Sequence, residues 1–424
     1  MKSQKKKTHF QRETCRLCDS KALELVVPIP PTPIADAYVT AEQKHQPQEV
    51  YPLDLYQCND CGHIQLRDVV DPDILFSHYS YFSGRSPGLV KHFKEYADGV
   101  ISKNKLQRNS FIVDIGSNDG AFLRFFREKG MKTLGVDPAK NIAKIANETG
   151  IDTIPMMFSA NLAREIKGKY GLATVITANN VFAHADDLGE MANSIKTLLD
   201  PNGIFVFEVS YFPDVMEKML LGTIFHEHVC YHTIKPLRSF LQRRGLELID
   251  VEKVSIQGGS IICTVQHQQG KRNISPSINI LIKEEEQQGI YDQTATRRFS
   301  QRLQELRKKS DDLIKQLYLP GKTFAAYGAS RGGTLLTYYL GLGNIIKFIV
   351  DDSPEKQNLY SPGHHLPVLP TKKIYEEKPD YIFILAWVHS KPIIASNQEY
   401  LKSGGKFITF FPELAIIDQN SVKE

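Results

Sequence analysis

The chain has 424 residues, of which 42% are hydrophobic and 24% are charged, and its formal net charge at pH 7 is +4. This composition predicts a soluble globular protein of two or three domains and excludes a disordered chain. No apolar run approaches the length of a membrane span and no secretory signal is recognisable, so we expect a cytoplasmic protein without a membrane partner. The small positive charge argues against binding to nucleic acid, but it is compatible with an anionic small substrate such as a nucleotide diphosphate.

Four of the six cysteines form two close pairs. Cys15 and Cys18 make one Cys-x2-Cys pair, and Cys58 and Cys61 make the second after a spacer of 39 residues. Each pair can present two thiolates to one tetrahedral zinc ion, and Gly62 permits the turn that the second pair needs. Four protein ligands close the site, so we predict a structural zinc in a reducing compartment. The alternative is four free thiols, which the symmetry of the pairs disfavours.

The region between and after the cysteine pairs combines extended, hairpin and helical signals. The proline-rich stretch 28–33 forbids a helix, and residues 53–66 predict a hairpin around the second pair. Residues 72–99 predict a helical connector that contains a dense aromatic cluster at 78–84. These rings cannot all enter one face of a core. Two interpretations stay open, one in which some rings line a pocket and one in which they pack between domains.

A strand–turn–helix–strand pattern spans residues 111–137. The apolar run 111–115 predicts a strand buried on both faces of a parallel sheet, and a glycine-rich turn follows it. Glycine accepts positive φ angles and lets a ligand approach the backbone closely, and asparagine is the next most tolerant residue. We expect the helix to begin near Asp119 and the second strand to end at Asp137. A carboxylate there is placed to accept both hydroxyls of a ribose.

Two ligands suit this pattern, a dinucleotide and S-adenosylmethionine (SAM). A dinucleotide favours G-x-G-x-x-G, whereas the pattern here is D-x-G-x-N-x-G. A pyrophosphate would gain nothing from the acids at 114 and 119, but they suit the ammonium group and the sulfonium of SAM. The turn therefore resembles motif I of class I SAM-dependent methyltransferases, and an unliganded strand–helix turn is the disfavoured alternative. The predicted SAM-binding residues in this stretch are Asp114, Gly116, Asn118, Gly120 and Asp137.

Strands and helices continue to alternate after Asp137 and favour a parallel, doubly wound sheet. A helix is expected at 142–147, and strands are expected at 151–155, 172–178 and 204–209. The carboxyl ends of the strands carry the site in such a sheet. Asn180 and His184 follow the strand at 172–178, so we expect both near the cofactor.

Residues 226–232 include three histidines and a glutamate, which is not the composition of a core. The spacing is His-Glu-His rather than His-Glu-x-x-His, so two zinc ligands on one helix face are not formed. In an extended segment His226 and His228 would share one face and Glu227 would point to the other. An imidazole beside a carboxylate is a candidate general base near neutral pH. The alternative is a set of solvated surface histidines.

A charged stretch at 284–310 predicts a helix that connects two domains, and Pro320–Gly321 marks a boundary. A second nucleotide-type unit follows. Its expected elements are a strand at 323–327, a glycine turn, a helix from Leu335 and strands at 345–350, 381–387 and 406–411. A glycine turn alone is a weak signal, although Arg331 within it is placed to meet a phosphate.

Together these features resemble, over nearly the whole chain, the three-domain sugar C-methyltransferases that act on C-3 of nucleotide-linked 4-keto-deoxysugars. The resemblance rests on the four cysteines, the 114–120 turn, residues 180–184, the His-Glu-His segment, YGASRGG at 327–333 and the stretch 350–368. It implies an α/β protein with a class I SAM methyltransferase sheet at 73–310, an N-terminal zinc-binding domain at 1–72 and a C-terminal Rossmann-like domain at 311–424. It further implies deoxysugar biosynthesis, a monomer, and a nucleotide sugar bound among the domains.

The resemblance also implies the chemistry. The 4-keto group acidifies the proton on C-3, a histidine removes that proton to give an enolate, and C-3 attacks the SAM methyl group. The motif match assigns the base to His228, with Glu227 beside it. The implied substrate-binding residues are His226, Arg331, Lys356 and His365.

Two positions depart from the family pattern. Phe225 stands where family members have tyrosine, so the hydroxyl that would assist the enolate is missing. Tyr79, Tyr81 and Tyr231 are the candidates to replace it, and a different substrate is the other explanation. Arg331 stands where many members have lysine, which keeps the charge but not the geometry.

Two other functions compete with this interpretation. The first is an O- or N-methyltransferase that acts on another small molecule. The second is a zinc-ribbon protein that binds nucleic acid and retains the methyltransferase fold without its activity. The second predicts a basic stripe interleaved with exposed aromatic residues, whereas the basic residues here are dispersed apart from the N-terminal tail.

Overall fold

The computed structural model describes residues 8–76 and 81–421. It divides into two compact units, each assembled from three separate stretches of chain. The first unit comprises the described residues of Met1–Glu24, Tyr56–Asp214 and Glu227–Gln293, and the second those of Leu25–Leu55, Val215–His226 and Thr294–Glu424. This partition differs from the three consecutive domains expected at 1–72, 73–310 and 311–424, whose boundaries remain a prediction.

The described residues form fourteen α-helices. They are α1 Pro72–Phe76, α2 Pro87–Lys103, α3 Ala121–Glu128, α4 Lys140–Glu148, α5 Ala160–Tyr170, α6 Leu188–Leu198, α7 Phe212–Glu217, α8 Ile234–Arg243, α9 Ser277–Gln288, α10 Thr294–Leu317, α11 Arg331–Tyr339, α12 Lys373–Glu377, α13 Ser390–Ser396 and α14 Gln398–Lys402. Short 3-10 helices lie at Ser83–Arg85, Leu221–Thr223, Ile256–Gly258, Leu342–Asn344 and Trp387–His389.

The same residues form nineteen strands. They are β1 His9–Gln11, β2 Leu23–Val27, β3 Leu55–Cys58, β4 Ile64–Leu66, β5 Asp68–Val70, β6 Phe111–Ile115, β7 Lys132–Val136, β8 Thr153–Ile154, β9 Ala173–Asn179, β10 Leu199–Ser210, β11 Cys230–Tyr231, β12 Leu246–Val254, β13 Ser260–His267, β14 Phe324–Tyr327, β15 Ile346–Asp351, β16 Val368–Pro370, β17 Tyr381–Ile384, β18 Lys406–Thr409 and β19 Ala415–Ile417.

The first unit is built on a seven-stranded sheet with the order β12-β13-β10-β9-β6-β7-β8. Strands β10, β9, β6, β7 and β8 run parallel, whereas β13 is antiparallel to both β10 and β12. Every residue of β6 is buried, as expected for a central strand covered on both faces. The predicted doubly wound α/β sheet is thereby confirmed.

Side chains alternate between two helical layers along the central strands. Ile112, Val175 and Val206 pack in one hydrophobic cluster with residues of α2 and α3. Val113 and Ile176 pack on the other face, with residues of α5, α6 and α8. Because both faces are covered, polar side chains at the carboxyl ends of β6, β9 and β10 have little contact with solvent, and this determines their chemistry.

Two small sheets complete the strands of the N-terminal region. Strand β1 pairs antiparallel with β5. Strands β11, β4, β3 and β2 form a second sheet in that order. The predicted hairpin at 53–66 corresponds to β3 and β4, which are neighbours in this sheet, and Cys230 of β11 pairs with Gln65 of β4.

The second unit contains a six-stranded sheet with the order β16-β15-β14-β17-β18-β19. All of its pairs are parallel except β18 with β19. Strand β14 is buried throughout and leads through a glycine turn into α11. This arrangement agrees with the Rossmann-like α/β unit expected from the sequence.

Several predicted boundaries were wrong by a few residues, for local reasons. Helix α3 begins at Ala121 rather than near Asp119 because Gly120 is its N-cap, in the left-handed region. Helix α11 begins at Arg331 rather than Leu335 because the Ser330 side chain accepts a hydrogen bond from Gly333 N–H.

The charged stretch at 284–310 also differs from its prediction. It contributes to two helices, because α9 ends at the left-handed C-cap Gly289 and α10 begins at Thr294. Within residues 8–76 and 81–421, no helix is both long and apolar enough to cross a membrane.

Candidate active site

The glycine turn after β6 has the strained backbone that its sequence predicts. Gly116, Asn118 and Gly120 all have positive φ angles, of 71°, 51° and 76°. A side chain at Gly116 would place its Cβ 2.2 Å from a γ-methyl group of Val181, in the loop that follows β9. The turn after β6 and the loop after β9 therefore touch, and this contact demands glycine.

Asp137, at the end of β7, is bonded to this turn. Its two carboxylate oxygens accept hydrogen bonds of 2.9 Å from the backbone N–H groups of Asn118 and Ala139. Burial raises the pKa of the Asp137 carboxyl, and the two N–H donors oppose that effect. The acid thus lies at the turn and anchors it.

Asp114 is buried beneath the turn, on β6. Its carboxyl accepts a hydrogen bond of 2.6 Å from the hydroxyl group of Thr177, on the neighbouring strand β9. Burial raises its pKa to about 7, and the Thr177 hydrogen bond opposes this. Asp114 consequently changes charge near neutral pH, and its ionised form would be favoured by a nearby cation.

The described part of the aromatic cluster, residues 81–84, packs on the same turn. The Asn118 side-chain amide donates to the carbonyl of Tyr81 and accepts from Ser83 N–H, both at 2.9 Å. Gly84 N–H donates to the Asp119 carboxylate at 2.9 Å. The side chain of Asn118 thus holds this segment against the turn. Tyr79, the other tyrosine predicted from the cluster, lies outside the described residues.

The loop after β9 meets the His-Glu-His segment. Asn180 has a φ of 55°, and its N–H donates to the carbonyl of Glu208 at 2.8 Å. Cys230 N–H donates to the carbonyl of Ala183 at 3.1 Å, which ties β11 to this loop. As a result the rings of His184 and His228 lie 4.9 Å apart, centroid to centroid. The structure thereby joins two motifs that the sequence analysis had found separately.

The three residues of the segment are buried. His226, Glu227 and His228 are 2%, 4% and 9% exposed, so the alternative of solvated surface histidines is wrong. The segment is a turn rather than a helix or strand. The boundary between the two units falls between His226 and Glu227, and the His226 ring contacts the carbonyl of Tyr51 at 3.1 Å within the second unit.

The second unit gathers two of the predicted substrate-binding cations. The Asp36 carboxylate forms ion pairs with Nε of Arg331 at 2.6 Å and with Nζ of Lys356 at 3.4 Å. Burial opposes ionisation of Asp36, but the two cations outweigh it and hold the pKa of that carboxyl below its usual value. The guanidinium of Arg331 also lies over the ring of Phe225, 5.1 Å from its centroid. His365 contacts the side-chain oxygen of Gln48 at 3.2 Å instead.

Comparisons with known proteins identify the family. Residues 15–76, 91–251 and 255–412 match family models described as "Putative zinc binding domain", "Methyltransferase domain" and "C-methyltransferase C-terminal domain". The chain is 33% identical to C-methyltransferase NovU from Streptomyces niveus over 410 residues, which cover 96% of this chain and 98% of that protein. The chain belongs to the SAM-dependent C-methyltransferase family. The protein is therefore an enzyme, and SAM is its methyl donor.

Two matching solved structures each cover less than half of this C-methyltransferase. A SAM-dependent methyltransferase from Clostridium acetobutylicum is 14% identical and aligns with 43% of this chain and 92% of its own, with a TM-score of 0.35. The magnesium protoporphyrin IX methyltransferase of Synechocystis with bound SAM is 13% identical, with 46% and 88% covered and a TM-score of 0.32.

The C-methyltransferase binds one structural zinc through four cysteines. The sulfur atoms of Cys15, Cys18, Cys58 and Cys61 all lie within 4.8 Å of one another. The Cys15–Cys61 and Cys18–Cys58 sulfur pairs are 3.6 and 3.5 Å apart. Four thiolates about 2.3 Å from a tetrahedral zinc would be about 3.8 Å apart, so the cluster fits the ion.

The sequence analysis missed one polar pair in the methyltransferase unit. His92, on α2, and Glu208, on β10, are joined by a contact of 2.5 Å between Nε2 and Oε2. The two residues are 116 positions apart, and no local pattern signals such a contact. The only available hint was that Glu208, like Asn180, stands at the carboxyl end of a parallel strand.

Proposed function

We propose that this enzyme transfers a methyl group from SAM to C-3 of a nucleotide-diphosphate-linked 4-keto-deoxysugar, with His228 as the general base. The observation that carries the proposal is the pair of imidazoles, half-buried His184 and buried His228, whose rings lie 4.9 Å apart beside the loop that touches the SAM turn. A C-3 proton next to a ketone is only moderately acidic, so its removal needs a base that titrates near pH 7. Methylation of a hydroxyl or amino group needs no loss of a carbon-bound proton.

Each step of the reaction has a residue to perform it. His228 takes the C-3 proton on a ring nitrogen, and the electrons of the C–H bond pass into the enolate. Glu227, next in the chain and equally buried, favours the imidazolium that results. SAM supplies the methyl group, to which C-3 forms a bond as the bond to sulfur breaks, and the sulfonium becomes the neutral thioether of S-adenosylhomocysteine (SAH).

The SAM turn suits this donor. Asp137 would accept the ribose hydroxyls, and Gly116 and Gly120 would let the ligand approach the backbone. Asp114 would contribute negative charge beneath a cationic ligand, which favours SAM over SAH. Asn118, Asn180 and His184 would shape the walls, Asn118 by holding the segment at 81–84.

The proposed anion site of the sugar nucleotide is the cluster of Arg331 and Lys356 on Asp36. A diphosphate carries more negative charge than one carboxylate, so it would compete with Asp36 for both cations. His226 and His365 are proposed as further substrate contacts. Because Phe225 lacks a hydroxyl, any proton donor to the enolate oxygen would come from Tyr79, Tyr81 or Tyr231.

Exchange of the C-3 proton with solvent tests the base. Wild-type enzyme with SAH and a nucleotide-linked 4-keto-6-deoxysugar in D2O should place deuterium at C-3. His228→Asn should slow this exchange and turnover with SAM by roughly 10²–10⁴-fold, the usual contribution of a positioned base, while SAM affinity is kept. His45→Asn, at an exposed position, is the control.

Two outcomes would contradict the proposal. Exchange at the wild-type rate in His228→Asn would remove His228 as the base. A methylated product formed by the wild type without exchange, and with its new methyl group on oxygen or nitrogen, would show an O- or N-methyltransferase instead.

A further inference from the structure

Glu208 is a buried carboxylate with an unused oxygen. The residue is only 1% exposed. Its Oε2 contacts Nε2 of His92 at 2.5 Å, and among residues 8–76 and 81–421 no hydrogen-bond partner is found for Oε1. A buried carboxylate oxygen without a donor costs about 1–3 kcal/mol or more. This cost is readily explained if a ligand supplies the missing donor.

A second polar group faces the same place. Asn179, the last residue of β9, is paired in register with Glu208 on the parallel strand β10. Paired residues of neighbouring strands carry their side chains on the same face of the sheet. Both polar atoms of the Asn179 side chain are buried, and neither has a hydrogen-bond partner in the described part of the chain. Two adjacent side chains thus leave an acceptor oxygen, an amide oxygen and an amide N–H unused.

His92 adds a positive charge to this group of residues. Burial opposes protonation of His92, but the hydrogen bond and the charge of Glu208 outweigh it and raise the pKa of the imidazole. The His92 side chain is 14% exposed, so a ligand can reach it. The three residues therefore offer a carboxylate, a primary amide and an imidazolium, which complement the ammonium and carboxylate groups of an α-amino acid.

The position on the sheet matches one end of the methyl donor. Asp137 follows β7, and neighbouring strands lie about 4.8 Å apart, so β9 and β10 are roughly 10 and 14 Å from β7 across the sheet. A donor whose ribose rests on Asp137 and whose sulfur lies over the turn after β6 must extend its amino-acid arm toward β9 and β10. That is where Asn179 and Glu208 end their strands.

We propose that Glu208, Asn179 and His92 bind the amino-acid end of SAM. Oε1 of Glu208 and the Asn179 amide oxygen accept from the ammonium group, and the His92 imidazolium pairs with the α-carboxylate. The inference rests on the placement of the ribose at Asp137 and does not depend on the identity of the methyl acceptor. It assigns the ammonium to Glu208, whereas the sequence pattern had suggested Asp114.

Truncated ligands test the assignment in the intact enzyme. SAH carries the amino-acid end, 5′-methylthioadenosine lacks it entirely, and decarboxylated SAH keeps only the amine. Glu208→Gln should weaken SAH binding about 10- to 100-fold, the scale of a hydrogen bond to a charged group, and should change methylthioadenosine binding less than 2-fold. Calorimetry with both ligands measures the difference, and methylthioadenosine binding verifies that the pocket is folded.

His92→Gln tests the contact to the α-carboxylate of the ligand separately from the contact to its ammonium group. Glutamine keeps a donor for Glu208 but removes the positive charge, so SAH should bind more weakly while decarboxylated SAH and methylthioadenosine are little affected. Lys91→Gln is the matched control, because Lys91 lies on the same helix with an exposed side chain and also loses a positive charge. It should bind all three ligands like the wild type.

The inference is overturned if Glu208→Gln weakens SAH and methylthioadenosine equally, because Glu208 would then only support the pocket. It is also overturned if Glu208→Gln binds SAH normally while Asp114→Asn does not. The ribose placement is tested separately by Asp137→Asn, which should weaken SAH and methylthioadenosine alike. None of these measurements uses a sugar substrate, so failure of the proposed methyl acceptor would leave them unchanged.

Discussion

The two glycine turns of the molecule, after β6 and after β14, share one construction. Gly116 N–H donates to the carbonyl of Val136 at 2.7 Å, and Gly328 N–H donates to the carbonyl of Val350 at 2.8 Å. In each unit the acid that ends the second strand accepts from a backbone N–H of the turn. Asp137 accepts from Asn118 at 2.9 Å, and Asp351 accepts from Ala329 at 2.6 Å. Both acids also accept from the N–H two residues later.

The side chains around the two turns differ in charge. The first turn carries Asp114 and Asp119 and has three positive φ angles. The second has a positive φ only at Gly328, and Lys356 donates to the carbonyl of Ala329, while Arg331 pairs with Asp36. The first turn therefore suits a cationic ligand and the second an anionic one.

The comparison teaches that an acid at the end of the second strand is a weak indicator of a ribose. Asp351 has the same backbone contacts as Asp137, yet the side chains around its turn include the cations Arg331 and Lys356. The acid anchors the turn in both cases. We therefore expect the neighbouring side chains to determine which ligand binds, and these are acids in the first unit and cations in the second.

The largest expected difference between the two units concerns zinc, whose four ligands all belong to the first unit. Cys58→Ser should lose the metal and destabilise the segment 15–66, because binding of structural zinc is coupled to folding. Metal analysis and amide hydrogen exchange should show loss of zinc and faster exchange in 15–66, with residues 324–351 unchanged. Cys263→Ser, at a buried cysteine outside the cluster, should keep its zinc. Zinc retained in Cys58→Ser would contradict the site.

The turn glycines provide the next test. Gly116→Ala must accept a φ of 71° and a Cβ 2.2 Å from Val181, and Gly328→Ala must accept a φ of 105° and a Cβ 2.4 Å from Ala386. Each should cost about 2–5 kcal/mol, the sum of left-handed strain and overpacking. We expect Gly116→Ala to lose SAM binding. Gly328→Ala should retain SAM affinity and raise the KM of the sugar nucleotide.

A control isolates the backbone cost in this pair. Gly341→Ala has a φ of 65° but meets open space, so it should lose only about 1–2 kcal/mol of stability and no ligand binding. The comparison between the turns would fail if Gly328→Ala weakened SAM binding as much as Gly116→Ala.

Local patterns predicted much of the fold but less of the candidate site. The strand–turn–helix–strand stretch 111–137 was predicted nearly to the residue, because buried strands and turn glycines leave signals in consecutive positions. The contact between His184 and His228 was not predicted, since it depends on how β11 meets the loop after β9. The same holds for His92 and Glu208. The two discontinuous units were not predicted, because no composition change marks where the chain passes from one to the other.

The strand-end acids test whether the two turns differ in ligand choice. Asp137→Asn should weaken SAM by about 1.5–3 kcal/mol, the scale of lost charge-assisted hydrogen bonds. Asp351→Asn should lower the unfolding free energy and leave SAM affinity unchanged. Calorimetry and thermal melts measure both quantities. If neither variant changes SAM affinity, Asp137 only anchors its turn, as Asp351 does, and the ribose must bind elsewhere.

The last test is the opposite pH dependence of the buried acids near the two turns. Burial raises the pKa of Asp114 to about 7, so its folded form holds a proton that the unfolded chain releases near pH 4. Stability of the wild type relative to Asp114→Asn should therefore fall as the pH rises from about 4 to 7. Arg331 and Lys356 overcome burial and lower the pKa of Asp36, so its contribution is present above about pH 4 and is lost below it.

Melting temperatures of the wild type, Asp114→Asn and Asp36→Asn between pH 3 and 8 measure both trends. A change of 1 kcal/mol shifts the Tm of a domain of this size by about 2–4 °C, so the melts resolve changes in stability of that order. Toward pH 7 the stability of the wild type relative to Asp114→Asn should fall, because a buried carboxylate without a cation is costly. SAM brings a cation and should therefore reduce this fall. Above pH 5 the melting temperature of the wild type should exceed that of Asp36→Asn by a constant amount. A margin over Asp114→Asn that grew toward pH 7 would mean that Asp114 already has a cationic partner, and the contrast between an acidic and a basic turn would not hold.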